Sequence, residues 1–359
     1  MVGIESLPVR VPAFGRIPFL DRLRAVAIVM VVGVHTSAYC LPLSEYQKEV
    51  ISFLTLTVAV PTFFLVDGYL FARDTILPSK ETTYFTYVQK SFFRLIVPWT
   101  IFTLLYTVAR YFFEINGFLK DKVVVGRSLK EVAILAYGAV PSAQMYFLFS
   151  LFLIRLCSPI FKKITRVKNV FFVPLSFLCY YAVYKSCIGF IYPYLKIDGG
   201  LEPILHALAG IPFYLVGIIL LKTSSVFNLK KLFLPCLLSF LMVLPIRGEW
   251  GHPGVVLTQY LYLITLFLFF LAFGDRLSFL DRIGRNTMGI YLIHIPIVLK
   301  VVSLILNRFT VVPLWSFMSI FVCTFFLTFF IVSTINAVPY GPLLLGTPYQ
   351  RKNNVLASN

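Results

Sequence analysis

The chain has 359 residues, of which 59% are apolar, 17% aromatic and only 13% charged, about half the charged share of a soluble domain. No stretch is long and polar enough to fold separately in water, which excludes a soluble catalytic module and leaves a single integral-membrane domain. The net charge of +17 would suggest a nucleic-acid partner in a soluble protein; here most Lys and Arg fall on loops of one side, so they read as a topology signal and nucleic acid is excluded.

In chain order, residues 1–18 mix Pro, Gly and Arg and form a cytoplasmic lead-in. Ten apolar runs of helix length follow, at about 21–43, 51–71, 95–113, 145–161, 170–185, 204–221, 232–246, 255–273, 288–306 and 313–335. They predict an all-α, polytopic membrane bundle with both termini cytoplasmic. The polar stretch before residue 95 is long enough for an amphipathic interfacial helix, and 114–143 holds a short interfacial or re-entrant segment. Prolines interrupt the seventh run. Residues 347–359 form a cytoplasmic tail. The six cysteines lie in or beside apolar runs without CxxC spacing, so they read as small core residues, and no metal site is expected.

The run 19–37, FLDRLRAVAIVMVVGVHTS, carries Arg24 near one end and His35 near the other. Eleven residues make three helical turns plus roughly 20°, and about 16 Å of rise, so both side chains share one helix face at different depths. A neutral imidazole at that depth serves as a general base or acyl acceptor; the bland alternative is a snorkelling arginine and a histidine bonded to a neighbouring helix. His294, nine residues beyond Arg285, reaches a similar depth, about 14 Å from the same face. Convergence of two titratable groups inside a bundle is what a buried reaction site requires.

Asp67 near the inner end of the second run needs a partner, for which Arg24 and Arg73 are the candidates. Lys90 and Arg94 offer charge for an anionic cytosolic ligand, or are ordinary positive-inside residues. Gln144, Met145 and Tyr146 open the fourth run from the outer side. Asp198, Glu202 and Glu249 read as solvated loop carboxylates, His206 as a core polar residue and His252 as part of a Gly/Pro turn. Arg110, Arg155 and Lys300 fall within or at the ends of spans.

Five of these pieces, in order, resemble the integral-membrane acyltransferase-3 family. LDRLRAVAIVMVVGVH is similar to the first helix with its Arg, ten intervening residues and His; PTFFLVDGYLF is similar to the second-helix FF-x-x-SG-[FY]-L pattern. KSFFRLIVPW resembles the basic stretch before the third helix, AQMYFLFSLFLI the [HQ]-LW-[FY]-L entry, and IGRNTMGIYLIHIPIV the late G-x-x-S-x-GIYL-x-H segment. Asp67 stands where serine is usual, Ser91 where a basic residue is common, and Met145 and Tyr146 where Leu and Trp are common.

The resemblance implies an acyltransferase-3-like transmembrane domain over 19–346 in a multi-pass cell membrane, the bacterial inner membrane by family expectation. It further implies a cytosolic acetyl-coenzyme A or other acyl-coenzyme A donor and transfer of the acyl group to a hydroxyl of a cell-envelope saccharide or glycolipid. Arg24, Lys90 and Arg94 would hold the donor's phosphates while its acyl-pantetheine arm reaches His35, the base or transient acyl acceptor. His294 would orient the acyl carbonyl or help deprotonate the acceptor, and Asp67, Gln144 and Tyr146 would contact substrate. Homo-oligomerisation is left open. The alternative reading from the spans alone is a transporter or exporter with a buried Arg/His pathway.

Overall fold

Where this chain bends is set largely by proline, because proline lacks the N–H that would bond the carbonyl four residues earlier. The computed structural model describes residues 15–77, 83–119, 122–137, 143–167, 202–224, 228–245 and 251–346. The expected fifth span, the tail, most of the lead-in, Cys179, Cys187, Asp198 and Glu249 lie outside these, as do the side chains of Glu202 and His252. Among the described residues the regular structure is entirely helical.

Helix α1 (Pro18–Ser37) is followed by α2 (Glu45–Thr55) and α3 (Ala59–Ile76). Helix α4 (Tyr84–Ser91) runs through a π-helical turn, Phe92–Ile96, into α5 (Val97–Ile115), and α6 (Leu129–Tyr137) follows. The next three are α7 (Tyr146–Leu156), α8 (Ser158–Arg166) and α9 (Glu202–Ser224). Then come α10 (Phe233–Val243), α11 (Gly251–Phe273), α12 (Asp281–Arg285) and α13 (Thr287–Ile293). A second π-helical segment, His294–Leu299, leads to α14 (Lys300–Leu306), before α15 (Pro313–Ala337) and α16 (Gly341–Leu344).

Five helical stretches among the described residues are long and apolar enough to cross a bilayer: Glu45–Ile76, Tyr84–Ile115, Pro203–Ser224, Val255–Arg285 and Pro313–Ala337. A sixth is counted if Thr287–Ile293 and Ile297–Leu306, bent by 57° at their junction, form one span. Helix α1 has 20 residues, about 30 Å of helix, but Asp21, Arg22 and Arg24 crowd its first turns. The expected fourth span is divided at Cys157 into α7 and α8, because Pro159 cannot bond the Arg155 carbonyl and Ser158 is disfavoured in helix before proline. At 11 residues, α7 rises only about 16 Å. The expected seventh span is likewise an 11-residue helix.

Two freed carbonyls receive side-chain donors instead. Pro61 cannot bond the Thr57 carbonyl, and Gln259 donates to it at 2.7 Å. Pro296 cannot bond the Leu292 carbonyl, and the buried Tyr106 hydroxyl donates to it. Such replacement is required where no water is available to satisfy backbone groups.

Helix α1 sits at the centre, packed against α2, α3, α11, α12, α13 and α15, with Leu20, Leu23, Ile28, Val31 and Val32 buried. Helices α3 and α9 approach to backbone contact. A Cβ on Gly68 would strike the Tyr214 carbonyl, one on Gly217 the Leu65 carbonyl, and one on Gly210 the Phe64 ring. Small residues at such crossings let membrane helices gain dispersion contacts where lipid is as apolar as the side chains. The outward faces of α5 and α15 expose Leu104, Phe112, Trp315, Phe326 and Phe330, an apolar perimeter suited to acyl chains.

Candidate functional site

Clamps at both ends fix α1 against the unit that carries His294. At the charged end Arg22, which the sequence pattern did not single out, donates from Nε to Asp281 at 2.7 Å and from a terminal nitrogen to Asp275 at 3.0 Å. Gly284 lets α12 lie against the Asp21 backbone. At the far end Asn307 donates to the Tyr39 carbonyl at 2.9 Å and accepts from the Ser316 hydroxyl at 2.6 Å, and that hydroxyl accepts from the Leu41 N–H at 3.1 Å. These bonds set the rotation of α1 relative to α13 and the π segment.

With that rotation, His35 and His294 face each other with ring centroids 5.4 Å apart. His294 is fully buried. Its Nδ1 lies 3.0 Å from the Ile290 carbonyl and 2.9 Å from the Tyr291 carbonyl; both oxygens only accept, so Nδ1 carries the proton and Nε2 keeps a lone pair. That Nε2 is buried without a hydrogen-bond partner among the described residues. The π-helical start at His294 follows from Pro296, and such bulges are frequent at functional sites.

His35 opens onto a cavity of about 60 Å³ lined also by Val31, Val34, Gln144, Tyr146, Phe147 and Tyr291. One water needs roughly 10–15 Å³, so the space admits several water-sized groups. Val31, Val34 and His35 come from one face of α1 at i, i+3 and i+4 spacing. His294 lies behind His35, outside the lining. The Gln144 side chain is buried with both amide atoms unpartnered among the described residues. Tyr146 stacks on His206 at 4.0 Å; His206 is exposed rather than a core residue.

The cationic end is arranged differently from expectation. Asp67 pairs with neither Arg24 nor Arg73. Its carboxylate takes one edge of the Arg155 guanidinium, with Nε donating to one oxygen at 2.9 Å and a terminal nitrogen donating to the other. Arg155 also reaches the buried Ser91 hydroxyl at 3.4 Å. Sequence depth could not choose this partner, because depth says nothing of which way neighbouring helices face; the only signal was that Arg155 is an in-span cation needing an acid. Arg73 instead meets Asp74 and the Gly15 carbonyl.

Arg24 donates to Asp21 at 3.2 Å, and Asp21 also meets Arg16 at 3.1 Å. Arg94, exposed on the first π turn, and Arg24 both lie within electrostatic reach of Asp67. Lys90 is exposed on α4. The protein thus has a cluster of guanidiniums around two carboxylates at one end of α1 and a largely apolar cavity edged by His35, Gln144, Tyr146 and Tyr291 near the other, about 16 Å apart along the helix. Among the described residues no three His, Cys, Asp or Glu side chains converge as a metal site would require.

On the far side, Glu114 at the end of α5 accepts from the N–H groups of Val123, Val124 and Val125 at 2.8–2.9 Å and from Arg110 at 2.8 Å. This buried carboxylate is the anchor of the 122–127 loop, and spacing alone gave no sign of it.

A family model described as an acyltransferase domain matches residues 17–336, nearly the whole chain, with His35, His294, Asp67, Arg155 and the cavity lining all inside it. No curated protein and no solved structure matches.

Proposed function

Since the chain belongs to the acyltransferase-3 family of membrane acyltransferases, we propose that it takes an acetyl or similarly small acyl group from cytosolic acyl-coenzyme A and transfers it to a hydroxyl of a cell-envelope saccharide or glycolipid. In this reading the chain lies in the cell membrane with ten spans and both termini cytoplasmic. The observation that carries the reading is the placement of His35 on a largely apolar cavity, backed by His294 at 5.4 Å, one helix length away from a cationic cluster.

The donor is a polyanion with a slender reactive arm. Its phosphates suit Arg24, Arg94 and the more exposed Lys90, since guanidinium groups bind phosphate through paired donors. An extended arm covers the roughly 16 Å to His35. The acceptor hydroxyl gives its proton to the unprotonated ring nitrogen of His35, and its oxygen attacks the thioester carbonyl. As the new C–O bond forms, the C–S bond breaks, and the proton passes from His35 to the departing thiolate to give the free thiol. A histidine that first accepts the acyl group itself would use the same placement.

His294 acts here as a positioning residue. Its Nδ1–H is held by two backbone carbonyls, and its fixed ring packs against the His35 ring at 5.4 Å between centroids, which limits how that imidazole turns on the cavity. Gln144 and Tyr146 line the acceptor's side, and Asp67 acts through Arg155 to hold the cationic cluster together.

Comparing envelope glycans by mass spectrometry from cells with and without the protein tests this reading. The expected result is loss of one ester-linked acyl group from one carrier. Purified protein in lipid should release free thiol from acetyl-coenzyme A only when that carrier is supplied. Movement of the carrier across the bilayer without thiol release would instead identify a transporter and overturn the proposal.

A further inference from the structure

The His35 cavity contains a side chain that the acid–base account leaves idle. Tyr291 is 5% exposed, lines the cavity, and its hydroxyl has no hydrogen-bond partner among the described residues. Its ring is fixed on both sides, edge-on to Phe147 at 5.6 Å and against His294 at 6.2 Å. The preceding turn is also fixed, because the Tyr291 carbonyl accepts from His294. The hydroxyl is therefore held in place by packing alone.

A buried donor left unmade carries a desolvation penalty of about 1–3 kcal/mol, and one such group on a cavity wall is the expected form of a site whose partner arrives with the substrate. Gln144, 2% exposed, is a second residue of the lining, and its amide N–H₂ and its carbonyl oxygen are both unpartnered among the described residues. The two come from different helical units, the turn before α7 and α13, and both share the cavity with His35. Two neutral donors and no cation suit an oxygen that is neutral in the ground state and becomes negative in the transition state.

We infer that Tyr291, together with the Gln144 amide, forms the oxyanion hole of this acyltransferase, donating to the acyl carbonyl oxygen as His35 draws the proton from the acceptor hydroxyl. This inference rests on the proposed placement of acyl transfer at His35. The balance of the step is unchanged: the carbonyl oxygen gains charge as the C–O bond forms and returns it as the C–S bond breaks. Tyr291 contributes a hydrogen bond and keeps its proton throughout.

Tyr291→Phe removes the hydroxyl and retains the ring that packs on Phe147 and His294. Loss of one oxyanion donor lowers kcat by about 10²–10³-fold, and because the bond strengthens only in the transition state, the KM for acetyl-coenzyme A should stay within about threefold of wild type. The melting temperature in detergent should be equal or higher, since an unsatisfied buried hydroxyl has been removed. Gln144→Met, close in volume, should behave in the same direction.

Wild type, Tyr291→Phe, Gln144→Met and His35→Ala would be assayed together in lipid for thiol release and acyl-acceptor formation. Low kcat with unchanged KM and undiminished melting temperature in Tyr291→Phe supports the inference. Near-wild-type kcat in Tyr291→Phe beside an inactive His35→Ala overturns the oxyanion role and leaves the site reading standing. A fall in kcat matched by a lower melting temperature assigns Tyr291 a packing role and also overturns it. Full activity in His35→Ala removes the site reading itself, and the inference with it.

Discussion

Asp67→Asn is the sharpest probe of how the cationic end is held. The Asp67 and Arg155 side chains are 10% and 12% exposed, so solvent screening removes little of their interaction. An asparagine can accept from one guanidinium nitrogen, but its amide N–H₂ then faces the other, placing donor against donor and leaving the Arg155 charge uncompensated. Breaking a buried pair from one side is destabilising by about 3–5 kcal/mol. With roughly 2.1 cal/mol/K of unfolding entropy per residue, a chain of this length loses about 4–7 °C of melting temperature. The assay is thermal unfolding in detergent of wild type, Asp67→Asn, Arg155→Met and the double variant. Because replacing both partners removes the stranded charge, the double variant should recover part of the loss, with a coupling of about 2 kcal/mol or more. A single-variant shift below about 1 °C, or strictly additive effects, would refute the pairing as the element that holds α3 to α7.

Further outcomes follow from other contacts. Arg24→Gln and Arg94→Gln should each raise the KM for acyl-coenzyme A by about 10–100-fold, from loss of one charged hydrogen bond of about 1.5–3 kcal/mol, with kcat little altered; Lys90→Gln, on an exposed helix, should change it less than threefold. Glu114→Gln removes the charge that gathers the Val123, Val124 and Val125 N–H groups, so trypsin should cut at Lys122 or Arg127 several times faster than in wild type, while the transmembrane helices stay resistant. Gly217→Ala drives a Cβ into the Leu65 carbonyl and should lower the melting temperature by an amount corresponding to about 1–3 kcal/mol. Asn307→Ala frees the far end of α1 from α14 and α15 and should reduce kcat by misaligning His35 with His294 while leaving donor affinity unchanged.

What could be read from the chain divides along a physical line. Helical period and rise place residues along and around their own helix, and they correctly set Arg24 and His35 on α1 and brought His294 to a comparable depth. They carry no information about how one helix is rotated against another. For that reason the partner of Asp67, 88 positions away in Arg155, and the clamp from Arg22 to Asp281 emerged only in three dimensions. Hydropathy also passes smoothly over proline. The division of the expected fourth span at Cys157 and the turn between α2 and α3 arise from carbonyls that Pro159 and Pro61 cannot bond, a local chemical fact outweighed in the sequence by the surrounding apolar residues. Tyr291 escaped notice because a tyrosine in an apolar helix is ordinarily core; its three-residue offset from His294 was the available signal, and what distinguishes it is an unsatisfied hydroxyl on a residue that lines the His35 cavity.

The central claim is that acyl transfer occurs at His35, with the donor's anionic end held at the opposite end of α1. It is tested most directly by giving purified wild type and His35→Ala, both in lipid, acetyl-coenzyme A labelled in the acetyl group together with the acceptor glycan, and measuring labelled ester and free thiol over time. Wild type should give equimolar ester and thiol, and His35→Ala should lose at least about 10³-fold in rate, in line with removal of a general base or nucleophile, with donor binding retained. Ester formation by His35→Ala at the wild-type rate would contradict it.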